Sequence, residues 1–427
     1  MQCTMQDVFA RHFDEYAKGK TLHSRQLQAA NCIRTCYTAE QGSHFDYCAS
    51  AHYGQQTFHA CRHRSCPRCA DGPRQAWLQA ELQRLLPCSH FHVIFTVPHE
   101  LLGLWEFNRE AFAQVLFDCV RASLMEMLAH PRHLGAMPGL LLSLHTWGRT
   151  LSHHPHIHAL VTAGGITAQG QWRQTREGYL LPLKPLQKLF SGKLLAAVRQ
   201  ALPSWAMPAR LPLPHWQHTL RTLYRAHWNI QINPPYAHGK GVALYLARYA
   251  KGGPLPKDRT LDLSDGVSFG YTDHRDGRAK LLRLTVDEFI TRVLWHAPPK
   301  GAHTVRHAGL YATARAAKHR AAVVALACPA ATAPPQSIAC TLEVPAPPPL
   351  PQLACPTCSK PLLRVYLRPA ERTRDQISHL VSSTANSPLP TTAALGPTRR
   401  SSGHPRAGPA PPSRSPPPVR GQPLAAA

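Results

Sequence analysis

Chemistry gathers first in residues 152–165, where His153, His154, His156 and His158 crowd the start of an apolar run that stops at Gly164-Gly165. In an extended strand, alternate side chains share a face. His154, His156 and His158 therefore point one way, and Ile157, Ala159 and Val161 the other. Two histidines at i and i+2 stand about 6–7 Å apart, close enough to pinch one ion, whereas i and i+4 stand about 13 Å apart. A mononuclear site would use one adjacent pair plus a ligand from elsewhere, and His99, Glu100, His145 and His154 are the candidates. His92 shares a strand face with Ile94 and Thr96, which suits packing as well as ligation.

A second group lies downstream. In residues 239–254, Tyr245 and Tyr249 stand one helical turn apart among Lys240, Arg248 and Lys251, before the stop signal Gly252-Gly253-Pro254. A Tyr-x3-Tyr pair usually serves packing. Beside cations and a histidine-bound metal it suits phosphodiester attack instead. A metal would polarise the phosphate, and a tyrosine would take it as phosphotyrosine, freeing a 3′ hydroxyl. A phenol has a pKa near 10, so the reaction needs the charge stabilisation that an ion supplies.

Cysteines supply a third group. Cys61, Cys66 and Cys69 read C-x4-C-x2-C, and a C-x2-C turn places two thiolates on one zinc. Cys48 is the natural fourth ligand of Cys61, Cys66 and Cys69, with His52 and His59 competing for a place. The interleaved Arg62, Arg64 and Arg68 suit a module that touches phosphates. Cys355-Pro356-Thr357-Cys358 is half a zinc ribbon, with Cys328 and Cys340 as weak partners.

The whole composition agrees with a polyanion partner. The 427 residues hold 48 Lys plus Arg against 23 Asp plus Glu, a formal charge of +25. Each phosphate that such a surface neutralises releases counterions. Arg399, Arg400, Arg406, Arg414 and Arg420 add to the total, but basic residues also run through the body. No apolar run reaches membrane-spanning length and the first residues lack a signal pattern, so a soluble cytoplasmic protein associated with the nucleoid is expected. In that reducing compartment, 13 cysteines point to metal ligation before disulfides.

The elements that must position these groups can be placed coarsely. Residues 4–40 carry helical periodicity, 74–86 and about 104–129 read as helices, and 90–98 and 139–147 as strands that precede the histidine strand in the chain. Strand, helix, strand, strand predicts an α+β fold, an antiparallel sheet with helices on one face. Asp276-Gly277 marks a hairpin between 267–271 and 279–286, Thr285 and Glu288 form a capping box, and a basic helix follows from Arg306 to Arg320. The expected organisation is a helical cap (1–45), a zinc module (46–75), the first half of a catalytic core (76–165), an insertion (166–236), and the tyrosine helix with the second half (237–325). A linker (326–366) and a disordered Pro/Arg-rich tail (367–427) complete it.

Taken together, residues 61–69, 91–101, 144–148, 154–158 and 245–249 resemble the two-tyrosine HUH transposases of rolling-circle elements, the insertion sequence 91 family. The resemblance spans roughly residues 6–325, and the order of five motifs carries it. It implies an HUH endonuclease core, with His156 and His158 as paired ligands of Mg²⁺ or Mn²⁺ and Tyr245 and Tyr249 as alternating nucleophiles. It also implies single-stranded DNA at the element's ends as substrate and a zinc domain ahead of the core. The chain departs from the family pattern at Ala51, where a second cysteine is usual, and His52 is the replacement at hand. A rolling-circle replication initiator or relaxase shares the chemistry, and a non-catalytic zinc-dependent DNA-binding protein would share the charge; neither explains all five motifs. A homodimer is compatible with the sequence.

Overall fold

The structure, a computed structural model, describes residues 2–208, 211–237, 241, 253–256, 259, 261–273, 276–299, 301–327 and 353–367. Strand β1 (Gln2–Cys3) leads into α1 (Met5–Ala17), opened by a capping box in which Thr4 and Asp7 satisfy each other's backbone N–H groups. Then come α2 (Ser24–Thr35), β2 (Ser43–Tyr47), β3 (Gly54–Phe58) and α3 (Pro67–Arg84). The last starts earlier than the sequence periodicity suggests, because Pro67 at the first helical position has no N–H to leave unpaired. The middle of the chain forms β4 (His90–Thr96), α4 (Leu102–Phe107), α5 (Arg109–Ala129), β5 (Met137–Trp147), β6 (His153–Ile166) and β7 (Trp172–Gln174). Helices α6 (Leu183–Ala201) and α7 (Leu213–Leu223) precede β8 (Ile230–Tyr236). Beyond them lie β9 (Leu261–Asp262), β10 (Val267–Thr272), β11 (Ala279–Leu284), α8 (Val286–Trp295), β12 (Val305–Gly309), α9 (Ala316–Ala327) and β13 (Leu363–Leu367).

The central sheet runs β12-β5-β6-β4-β8 with every pair antiparallel, and β7 added to the end of β6. Alternation decides its faces. Phe91, Val93 and Phe95 of β4, Leu142 and Leu144 of β5, and Ile157, Ala159 and Val161 of β6 pack against Phe112, Leu116 and Val120 of α5 and Phe190 and Leu194 of α6. The opposite face carries the histidines at one end. At its other end Leu141 and Leu160 meet Leu310, Tyr311 and Ala322, so α9 closes that part. The expected α+β antiparallel sheet is therefore present, with most helical mass on one face.

Three expected boundaries change. The segment 166–236 is no insertion: β8 pairs with β4, and Phe190, Leu194, Trp216 and Leu220 enter the main core. The proline-broken connections hid an ordinary amphipathic pair of helices. The hairpin β10–β11 does not join the central sheet either. It continues β1 and β9 into a separate sheet, whose Phe269 and Leu284 share a core with Phe9, Phe13 and Ile33 of the N-terminal helices and with Phe289 and Ile290. Residues 353–367 are not linker, since β13 pairs with β2 along its length to make the sheet β13-β2-β3. The basic stretch divides as well: Arg306 sits in β12 over the Phe117 ring, and the helix begins at Ala316. The tail from 368 onward lies outside the described residues.

Two buried imidazoles tie these parts together. His90 donates from Nδ1 to the Cys88 carbonyl and accepts at Nε2 from the Tyr311 hydroxyl, whose oxygen in turn accepts from the Leu86 N–H. His296 donates to the Leu151 carbonyl and accepts from Thr146. Burial pushes His90 down to about 4 and His296 to about 3, from an ordinary value of 6.5. Their folded pKa lies below the unfolded one. The stability they contribute is thus complete above pH 6.5 and lost as pH falls toward 4 and 3. Urea unfolding at a series of pH values should show that decline. Tyr311→Phe, which strands the Leu86 N–H and His90 Nε2, should cost about 1–3 kcal/mol in the same measurement.

Candidate metal centre and thiolate cluster

The histidine site follows from register. His145 on β5 lies directly opposite His156 on β6, and Ser143 opposite His158. On the other side, Thr96 and Ile94 of β4 face His156 and His158. One ligand atom from each of His145, His156 and His158 falls within 4.8 Å of the others, with all three side chains buried. The adjacent pair expected from spacing is therefore completed by His145. Among the other candidates, His99 and Glu100 sit in a short turn after β4 and pair with each other at 3.5 Å, and His154 is exposed at the mouth of β6. None of these three belongs to the cluster.

Hydrogen bonds orient the rings. His156 Nδ1 donates to the His154 carbonyl at 2.5 Å, which leaves Nε2 as its ligand atom. His158 Nδ1 meets His92 Nε2 at 2.7 Å, and His92 Nδ1 meets the Asn233 amide at 3.2 Å. His92 therefore stands one layer behind a candidate ligand, where the hydrogen-bond partner of a metal-bound histidine would sit. Burial pushes His156 and His92 down to about 4, and pushes His145 and His158 well below the ordinary imidazole range, with neighbouring imidazoles adding to the effect. At neutral pH every ring is uncharged and keeps a lone pair, the form that binds a metal.

The thiolates assemble differently from the expected set. Cys36, Cys61, Cys66 and Cys69 cluster, and Cys48 does not join them. Cys66 is the N-cap of α3, Cys69 lies in its first turn, and Cys61 comes from the preceding loop, where Arg62 turns through a φ of 54°. The fourth place is taken by Cys36, the residue that ends α2. Its sulfur stands 3.4 Å from that of Cys69, and Cys61 stands 3.6 Å from Cys69. A tetrahedral ion with bonds of about 2.3 Å holds sulfurs about 3.8 Å apart, so the spacing fits zinc and is far too long for a disulfide. Without a cation Cys36 and Cys66 keep their protons. Burial pushes Cys36 up to about 12, and Cys66 is raised by its hydrogen bond to Cys61 and by burial. Only α2's end, and no motif spacing, could have flagged Cys36. Cys48 instead ends β2, next to His52.

Of the arginines near this cluster, Arg62 and Arg68 are exposed, and Arg68 also bonds Gln6 and stacks over Tyr37. Arg64 is turned inward, donating to the Ala302 carbonyl at 3.0 Å and to Thr304 Oγ1 at 2.8 Å, and so fastens the thiolate loop to the segment that leads into β12. Tyr245, Tyr249, Lys240, Arg248 and Lys251 lie outside the described residues. What is described are the two ends of that segment. Ala237 follows β8 and holds Ser89, and Gly253 passes so close to the Ser65 carbonyl that a Cβ there would stand 3.0 Å from it.

An antiparallel sheet offering three buried imidazoles is joined to a four-thiolate cluster of zinc-binding geometry in a strongly basic chain, a combination that suits a protein handling DNA. Comparison with known proteins agrees. The profile described as "Putative transposase" matches residues 139–319, and that described as "Transposase zinc-binding domain" matches residues 8–97. "Putative transposase y4qJ" of Sinorhizobium fredii is 34% identical over 313 residues, covering 71% of this chain and 79% of that protein. "Transposase for insertion sequence element IS801" of Pseudomonas savastanoi is 29% identical over 260 residues, covering 59% of this chain and 61% of that protein. No solved structure matches the chain significantly. The chain belongs to the insertion sequence 91 family of transposases. Among the described residues no helix is long and apolar enough to cross a membrane.

His156→Ala or His158→Ala should abolish Mn²⁺ binding in titration calorimetry while leaving the thiolate-bound zinc in place. His92→Phe should weaken Mn²⁺ binding by about 10–100-fold, the usual cost of losing a ligand's hydrogen-bond partner.

Proposed function

We propose that this transposase nicks and rejoins single-stranded DNA at the ends of its insertion sequence by the rolling-circle route, through a covalent 5′-phosphotyrosine. The observation that carries the reading is the buried cluster of His145, His156 and His158 on one face of the central sheet. A bound divalent ion would supply charge stabilisation to the oxygens of the scissile phosphate. An all-imidazole set suits Mn²⁺ better than Mg²⁺, which prefers oxygen ligands.

The chain's own residues would divide the remaining work. His145, His156 and His158 hold the cation, and His92 and the His154 carbonyl fix two of those rings. Tyr249 or Tyr245 attacks phosphorus with its phenolic oxygen. The bond to the 3′ oxygen breaks, the phenol's proton ends on that oxygen, and the 5′ phosphate stays on the tyrosine. A second tyrosine lets one end be held while another strand is cut. The freed 3′ hydroxyl then attacks the phosphotyrosine, so no nucleotide cofactor is needed. Arg62, Arg68, Lys240, Arg248 and Lys251 would track phosphates, in keeping with the charge of +25. The protein would work in the cytoplasm at the nucleoid, and two copies could act together.

Incubation with labelled single-stranded DNA from the element's ends and Mn²⁺ should give an adduct that survives denaturation. It should vanish in the Tyr245→Phe, Tyr249→Phe double variant and in His156→Ala. An undiminished adduct in the double variant, or none in the parent protein, would refute the reading.

A further inference from the structure

The thiolate left out of the first cluster has partners of its own. Cys48, His52, Cys355 and Cys358 bring one ligand atom each to within 4.8 Å of the others. Cys48 Sγ stands 3.5 Å from Cys358 Sγ, a residue 310 positions away in sequence, and 3.9 Å from His52 Nδ1. These are the edge lengths of a tetrahedron around an ion bonded at about 2.0–2.3 Å. Cys48 and Cys355 are buried at 1% exposure each, while His52 closes the cluster from the solvent side.

Both halves are tight turns closed on their first cysteine. Ala51 N–H donates to the Cys48 carbonyl three residues back and Ser359 N–H to the Cys355 carbonyl four residues back, each at 2.9 Å. Each turn passes through a left-handed residue that is not glycine, Ala51 and Ser359, both at a φ of 57°. Backbone N–H groups of Ser50 and His52 turn toward the Cys48 sulfur, and those of Thr357 and Cys358 toward Cys355. Two such knuckles facing each other need a cation between them, since otherwise three sulfurs crowd one another for no gain. The surroundings support the pairing: β13 lies along β2, and Arg364 grips Asp46 through two bonds of 2.6 and 2.8 Å.

We propose that Cys48, His52, Cys355 and Cys358 form a second, separate structural zinc site, which clasps residues 353–367 to the N-terminal module. Zinc fits this donor set because three soft thiolates and one imidazole match its preference for closed four-coordinate structural sites. Two of its four ligands, Cys355 and Cys358, lie outside the matched zinc-binding domain, which ends at residue 97. It does not depend on the strand-transfer reading.

The test is metal counting on the full chain in a His156→Ala, His158→Ala background, which removes the imidazole cluster as a competitor. Two zinc ions per chain are expected by emission spectrometry, and one would overturn the proposal. Cys355→Ala with Cys358→Ala should leave one zinc, as should Cys36→Ala with Cys66→Ala, and a Cys355/Cys358 variant that still holds two would also overturn it. His52→Cys guards against a folding defect in those variants. It should keep two metals and, with cobalt in place of zinc, gain sulfur-to-metal charge-transfer intensity. A cobalt spectrum identical to that of the parent would show that position 52 touches no metal.

Discussion

The pairing register of β5 and β6 governs the histidine cluster. Side chains alternate with a period of two, so sliding one strand by a single residue would send His145 or the His156/His158 pair to the opposite face. What prevents the slip is the apolar set Leu142, Leu144, Ile157, Ala159 and Val161, which fills the space beneath α5 and α6. Gly165 adds a steric check, because a Cβ there would stand 2.4 Å from the Met137 carbonyl oxygen. The hydrophobic effect on one face thus writes the coordination geometry of the other.

The ligand clusters differ in donor type. The cluster on the sheet is all imidazole, with no carboxylate or sulfur, while the thiols collect at helix ends and strand ends, with His52 the one imidazole among them. That difference would suit a borderline ion exchanging ligands with phosphate in one place and tightly held zinc in another. The zinc module is nevertheless coupled to the sheet. Arg64 leaves the thiolate loop to bind Ala302 and Thr304, and the Thr304 carbonyl accepts from the Leu144 N–H on β5. A rigid loop at Cys61–Cys66 therefore bears on the strand that carries His145.

Local chemistry was legible in the sequence, and long-range partnership was not. The face alternation of 154–161, the capping box at Thr285 and the Asp276-Gly277 hairpin depend on neighbours a few residues away, and all are present. Four candidates for the third ligand stayed open because nothing in the spacing of His145 reveals that it lies opposite His156. Cys36 was hidden among helix-face residues, and Cys48 was placed with the nearest cysteines because its true neighbours are far away in the chain. The apolar content of 183–232 looked like an insertion because prolines interrupt it, although burial of Phe190 and Trp216 makes it core. Proximity in sequence is a sound guide to turns and caps, and a poor one to ligand sets.

The strand β13 has a consequence for biosynthesis. As the chain leaves the ribosome, β2 and β3 emerge early, yet the outer edge of β2 and the carboxylate of Asp46 find their partners only in residues 363–367. The N-terminal module therefore cannot finish folding until translation has passed the last described strand. A message cut short between Ala327 and Leu363 would release a protein whose central sheet is complete and whose first sheet is left with a raw edge, prone to pairing with other chains.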